Sequence, residues 1–182
     1  DECTLCHKNC KVNRNNNQIG FCRASNKVRI ARASLHLWEE PPISQGNGSG
    51  TIFFSHCNFK CVFCQNHDIS QGTEENTFWG YDSKDLKIET SINTPSVTGI
   101  EVSIERLSEI FLELQEKGAN NINLVTPTHY VPQILEALKI AKKNKLTIPI
   151  LYNTNGYDSI ETIKSLNGYI DVYLPDFKYF ND

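Results

Sequence analysis

The stretch "HCNFKCVFCQN" (56–66) sets Cys57, Cys61 and Cys64 at C-x3-C-x2-C directly behind "TIFFS" (51–55), and this pairing constrains the fold more than any other feature. A short β-branched and aromatic run of that kind reads as a buried strand. A polar loop that carries three thiols at the end of such a strand is a poor piece of core, although a free cysteine is often buried. In a reducing compartment, closely spaced thiols bind metal or do chemistry more often than they pair as disulfides. A closed zinc site asks for four ligands, and His56 and His67 do not complete the usual paired spacing. Three thiolates suit a four-iron cluster instead; four cysteines ordinarily hold such a cluster, so one iron is left open.

The remaining cysteines stand apart. "CTLCHKNCKVNRNNNQIGFC" places Cys3, Cys6, Cys10 and Cys22 at C-x2-C-x3-C-x11-C. Four thiolates opening on C-x2-C satisfy a closed structural site, for zinc or for a second iron-sulfur cluster, and His7 is then a bystander. Residues 1–35 show no long apolar periodicity and read as a small metal-organised appendage. Residues 36–182 read as the main domain, entered through the Pro/Gly/Ser-rich "EEPPISQGNGSG".

A regular rhythm begins after a long polar stretch, 72–99, which reads as a functional lid or as disorder. Ile104, Leu107, Ile110, Phe111 and Leu114 recur at helical spacing and stop at Gly118. "INLV" (122–125) reads as a strand, Val131 to Lys143 as a helix with lysines at its C-terminus, and "IPILY" (148–152) as a strand. Asp158 and Glu161 form a capping-box-like start to a short helix ending near Gly168, and "YIDVYL" (169–174) closes the series. Strand and helix alternate four strands deep, which predicts an α/β fold with a parallel sheet. The last strand is an uncovered edge, so further βα units are expected in the intact protein.

The cysteine motif, with Phe63 just before its last Cys and a strand before it, resembles the signature of the radical S-adenosylmethionine (SAM) superfamily. "HLWEEPPIS" (36–44), "CQNHDIS" (64–70), "NLVTPTHY" (123–130) and "YLPDFKY" (173–179) resemble its branch of pyruvate formate-lyase activating enzymes, over nearly the whole chain. The resemblance implies a partial (β/α)6 barrel, truncated here after about four strands. It implies an oxidoreductase in which Cys57, Cys61 and Cys64 hold a 4Fe-4S cluster whose open iron chelates S-adenosylmethionine. Reductive cleavage then gives methionine and a 5'-deoxyadenosyl radical, which abstracts hydrogen from the substrate. In the activating enzymes that substrate is a backbone glycine of a partner protein. An electron donor such as a flavodoxin or ferredoxin is implied as well.

In a parallel barrel the loops at the C-terminal ends of the strands form the active face. Those loops carry Thr126, Thr128 and His129, then Asn153, Thr154, Asn155 and Gly156, then Asp176 and Lys178. Hydroxyls, amides and opposite charges suit the ammonium, carboxylate and ribose of S-adenosylmethionine, so Thr126, Thr128, Asn153, Thr154, Asp176 and Lys178 are candidate contacts, with Phe63 near the adenine. The family's Gly-Gly-Glu-Pro is replaced by "TPTH", and Asn153 stands first where Asp-Thr-Asn-Gly is found in activating enzymes. "PDFK" is closer to the family's Asp-x-Lys. The bland alternatives are a surface loop for His129, a plain turn for Asn155 and Gly156, and a solvated ion pair for Asp176 and Lys178.

Composition narrows the partners. With 18 Lys+Arg against 21 Asp+Glu, the net charge of -3 supplies no general field for nucleic acid or an anionic membrane. No run approaches the roughly 20 apolar residues of a membrane span, and "DECTLCHKNC" lacks a signal peptide's pattern, so the chain reads as cytoplasmic. With no Met anywhere, it reads as a processed or partial sequence. The competing function is a zinc-thiolate binding module on an α/β scaffold that contacts RNA through Arg23, Lys27, Arg29 and Arg32.

Overall fold

A computed structural model of the chain describes residues 2–72 and 98–178. In chain order the elements are β1 (Val28–His36), α1 (Pro41–Ser44), β2 (Ser49–Phe54), α2 (His67–Ser70), β3 (Ile100–Val102), α3 (Ile104–Glu116), β4 (Ile122–Val125), α4 (Val131–Lys143), β5 (Ile150–Thr154), α5 (Ile160–Ser165) and β6 (Val172–Pro175). A short 3-10 helix, Arg14–Asn16, precedes them, and another, Thr128–Tyr130, leads into α4. The strands form one six-stranded sheet in the order β3-β1-β2-β4-β5-β6. The β2, β4, β5 and β6 run is parallel, as the βα alternation predicts.

Two antiparallel strands extend that run. β1 pairs with β2 from Ile30↔Phe54 to His36↔Ser49, and β3 pairs with the start of β1. The boundary expected after residue 35 falls within β1. Only Val28 and Ile30 of β1 are buried, and Arg29 and Arg32 interrupt its apolar pattern. That is why "VRIARASLH" does not announce itself as a strand.

Side chains alternate across a strand, and the two faces of this sheet differ in chemistry. Ile52, Phe54, Leu124 and Ile150 pack with Leu107 and Phe111 of α3 and Ile134 and Leu138 of α4 in one apolar core. The opposite face carries the register neighbours Thr51, Asn123 and Leu151, then Phe53, Val125 and Asn153 nearer the strand ends. Both amide atoms of Asn123 are buried there without a hydrogen-bond partner, so this face is polar although much of it is shielded.

Helix ends follow local chemistry. Ser103 caps α3 by accepting the Arg106 N–H at 3.1 Å, and Gly118 takes the left-handed conformation (φ 83°) behind it. At α5 the cap is Ser159, which accepts the Thr162 N–H at 3.2 Å. Asp158, expected in that role, instead accepts the Tyr152 and Thr154 hydroxyls at 2.7 and 2.5 Å. β5 and β6 each begin two or three residues later than expected. Pro149 has no N–H for the ladder, and the first β5 amide, that of Ile150, donates to Asp171 Oδ2 at 2.8 Å. The lid expected over 72–99 lies, for 73–97, outside the described residues.

Candidate iron-sulfur and SAM site

Because β2, β4, β5 and β6 are parallel, their four exits lie at one end of the sheet. The exit of β2 is the cysteine loop. His56 turns the chain in the left-handed region (φ 73°), and its N–H donates to Ile69 O at 2.9 Å, which ties the loop to α2. Within the loop the Cys64 N–H donates to Cys61 O at 3.3 Å, and Gln71 reaches the same carbonyl at 3.5 Å. Phe63 and Val62 project outward, 68% and 100% exposed.

The sulfurs face hydrogen-bond donors. The Phe59 N–H donates to Cys57 Sγ at 3.3 Å, the Asn155 amide lies 3.7 Å from it, and Ser70 Oγ is 3.3 Å from Cys64 Sγ. Burial, reinforced by the neighbouring Cys61 and Cys64 and opposed by the Phe59 amide, pushes the Cys57 thiol up to about 11. A bound cation removes such a proton outright. Three thiols on one loop, with two donors aimed at Cys57 and the Ser70 hydroxyl beside Cys64, suit an iron-sulfur cluster, whose sulfurs take such hydrogen bonds. Among the described residues, no three His, Cys, Asp or Glu side chains stand together at the spacing of a single metal ion. A cleft of about 460 Å³ opens beside Cys57 and Phe59, with Lys60 and Arg23 on its wall.

The other exits arrive as the topology requires. Asp176 and Lys178 form an ion pair at 2.6 Å, still partly exposed. Burial would lower the Lys178 ammonium, but its hydrogen bond to Asp176 and that carboxylate's charge hold it above its ordinary value. Asn153 is half-buried on the polar face, and its carbonyl accepts the Thr126 N–H at 2.9 Å. Thr126 itself adopts a left-handed conformation (φ 56°). Thr154 is buried, with its hydroxyl spent on Asp158. Thr128 is also buried and lines a small pocket with Cys3, Cys6, Cys10 and Cys22. The structure thus brings Asp176 and Lys178 towards the cysteine loop and turns Thr154 and Thr128 inward.

That pocket shows where the first cysteines go. The segment before β1 docks on the exit of β5: Cys6 bridges to Asp158, the His7 N–H donates to Tyr157 O, and the Ser159 N–H donates to Leu5 O. Donors again meet sulfur, with the Phe21 N–H and the Arg14 guanidinium each 3.3 Å from Cys10 and Cys22 respectively. Asn58, from the 57–64 cysteine loop, lines the same pocket, and its side chain hydrogen-bonds the Cys6 thiol. Burial raises the Cys6 and Cys22 thiols, with Arg14 pulling Cys22 back. Sequence reading assigned no role to Arg14 or Asn58. Their one signal was position among cysteines.

His129 is not a surface residue. It is 1% exposed, and its Nε2 donates to Ser55 O at 2.7 Å, bracing the chain just before Cys57. Burial, then the neighbouring His56 ring and the Arg14 guanidinium, push it down to about 3 despite the Ser55 carbonyl. A histidine whose folded value lies below its unfolded value of about 6.5 contributes stability that is full above pH 6.5 and is lost as pH falls towards 3. Between pH 6.5 and 5 the expected loss is about 1.4 kcal/mol per pH unit. Urea unfolding of wild type and His129→Gln across that range checks it, since the variant should lack this part of the slope.

Residues 51–182 match the family model of the Radical SAM superfamily. The chain belongs to this superfamily. An uncharacterized protein of Methanocaldococcus jannaschii is 35% identical over 182 residues, covering 99% of this chain and 46% of its own length. The chain therefore spans about half the length of that curated relative. No solved structure matches it. Members of this superfamily typically use a 4Fe-4S cluster, SAM and a reductant. No helix among the described residues is long and apolar enough to cross a membrane. Of the cations on which an RNA-binding reading depends, Lys27 and Arg29 pair with Glu101 at 3.4 and 3.5 Å, and Arg32 donates to Ser34 at 3.0 Å.

Proposed function

We propose that the chain is part of a cytoplasmic radical SAM oxidoreductase that abstracts hydrogen from a glycine of a partner protein, as pyruvate formate-lyase activating enzymes do. One observation carries the proposal: the C-x3-C-x2-C loop leaves a parallel strand at the same end of the sheet as the Asp176–Lys178 ion pair that follows β6. Cys57, Cys61 and Cys64 hold the cluster, and the sheet is the opening portion of a (β/α)6 barrel. When bound, the cluster and SAM supply a 5'-deoxyadenosyl radical from one electron delivered by a flavodoxin or ferredoxin.

The chain's own residues bind and orient. Lys178 offers a cation to the SAM carboxylate and Asp176 a carboxylate acceptor to the N–H of its amino group. Asn153 and Thr126 present polar groups at neighbouring exits, and exposed Phe63 offers a ring for the adenine to stack on. Thr154 and Thr128, both inward, shape the loops that carry Asn153 and Thr126. Cys3, Cys6, Cys10 and Cys22 hold a structural zinc or an auxiliary cluster, which their gathering around one shared pocket supports.

The substrate class is tested with full-length enzyme, reductant, SAM and a candidate glycyl-radical enzyme carrying deuterated glycine. Deuterium in 5'-deoxyadenosine together with a glycyl radical signal on the partner is expected. Turnover without label transfer would leave the radical chemistry standing and remove the glycyl partner.

A further inference from the structure

We propose that Asn155 is a positioning residue for the iron-sulfur site, its amide aimed at the Cys57 sulfur and held there by Asn58. The inference rests on the reading of Cys57, Cys61 and Cys64 as cluster ligands. Sequence alone makes Asn155 and Gly156 a turn pair, and Gly156 does take a left-handed conformation (φ 72°). A residue needed only for the turn has no reason to bury its amide. Asn155 is 6% exposed, and every atom of its amide is committed. Its Oδ1 accepts the Tyr157 N–H at 3.1 Å, while Nδ2 lies 2.6 Å from Asn58 Oδ1 and 3.7 Å from Cys57 Sγ.

These partners settle the amide's orientation. Tyr157 N–H is a donor and must face oxygen, so the NH2 group has to face Asn58 and the sulfur. Asn58 is itself 1% exposed and fixed inside the cysteine loop. The Asn155 turn is held from its far side by the first cysteine segment, through the Cys6–Asp158 bridge and the His7 and Ser159 backbone bonds. The donor is thus clamped between the two cysteine sets. Hydrogen bonds to cluster sulfurs help set the reduction potential, because a donor favours the more negative, reduced state. Asn155 is therefore placed to make the cluster easier to reduce.

The test is a potentiometric titration of the anaerobic full-length protein, followed by electron paramagnetic resonance, with iron and sulfide measured in parallel. Asn155→Leu removes the donor without adding charge. Asn155→Asp also removes it but keeps the oxygen that Tyr157 needs, so the turn survives. Each variant is expected to keep its iron and to show a reduction constant at least tenfold lower, a fall of about 59 mV for one electron. An unmoved potential in a variant with full iron would overturn the inference. So would loss of the cluster from both variants, because a donor that only tunes sulfur is dispensable for assembly. A wild-type protein with no reduced-cluster signal would instead remove the cluster reading on which the inference stands.

Discussion

Alanine at Cys57, Cys61 or Cys64 should abolish formation of 5'-deoxyadenosine from SAM. A cluster held by three thiolates has no spare protein ligand, and the open iron is the position that SAM needs. Losing one thiolate either releases the cluster or leaves it with a second open iron and altered electronics. The rate should fall at least about a thousandfold, which corresponds to about 4 kcal/mol of lost transition-state stabilisation. Chromatography of product, with iron counted per chain, checks each variant. A single variant that kept both wild-type iron and wild-type cleavage would remove that cysteine from the ligand set. Cys57 is the most informative position, since the Phe59 and Asn155 donors converge on its sulfur.

Asp176→Asn is expected to weaken SAM binding ten- to a hundredfold while leaving iron content unchanged. The Asp176 N–H donates to Thr154 O at 2.8 Å, so the residue continues from the last β6 pair, Thr154↔Pro175, into the exit loop. Its carboxylate is exposed enough to meet a ligand, yet it is paired with Lys178 at 2.6 Å. An exposed pair of this kind contributes at most about 1 kcal/mol to stability, so the substitution should not unfold the protein. A hydrogen bond from the SAM amino group to the charged Asp176 carboxylate is worth about 1.5 to 3 kcal/mol, which gives the expected loss of affinity. Calorimetry on the reconstituted variant measures it. Wild-type affinity would leave Asp176 as no more than Lys178's partner.

How much was legible in the sequence depended on the range of the interactions involved. The helices α3 and α4 and the strands β2 and β4 announce themselves because their apolar residues recur with the period of one element. β1 does not, because its nearest pairing partners are 13 or more positions away and only Val28 and Ile30 are buried. The cysteine spacing is local, so the candidate cluster ligands could be read directly. The docking of the first cysteines onto the Asn155–Ser159 loop depends on contacts spanning about 150 positions, such as Cys6↔Asp158. No periodicity reports such contacts. For the same reason Asp158 looked like a helix cap and His129 like a surface histidine. Each has partners, Tyr152 and Ser55, that only the folded sheet brings near.

The central claim is that this chain carries SAM-cleaving radical chemistry on the Cys57 loop. Its most direct test is anaerobic incubation of the full-length wild-type protein with dithionite and SAM, followed by quantification of the products. The account predicts a brown protein that forms 5'-deoxyadenosine and methionine in equal amounts, with none formed when reductant is withheld. A colourless protein that holds only zinc after anaerobic purification and reconstitution, and that returns SAM intact, would contradict it.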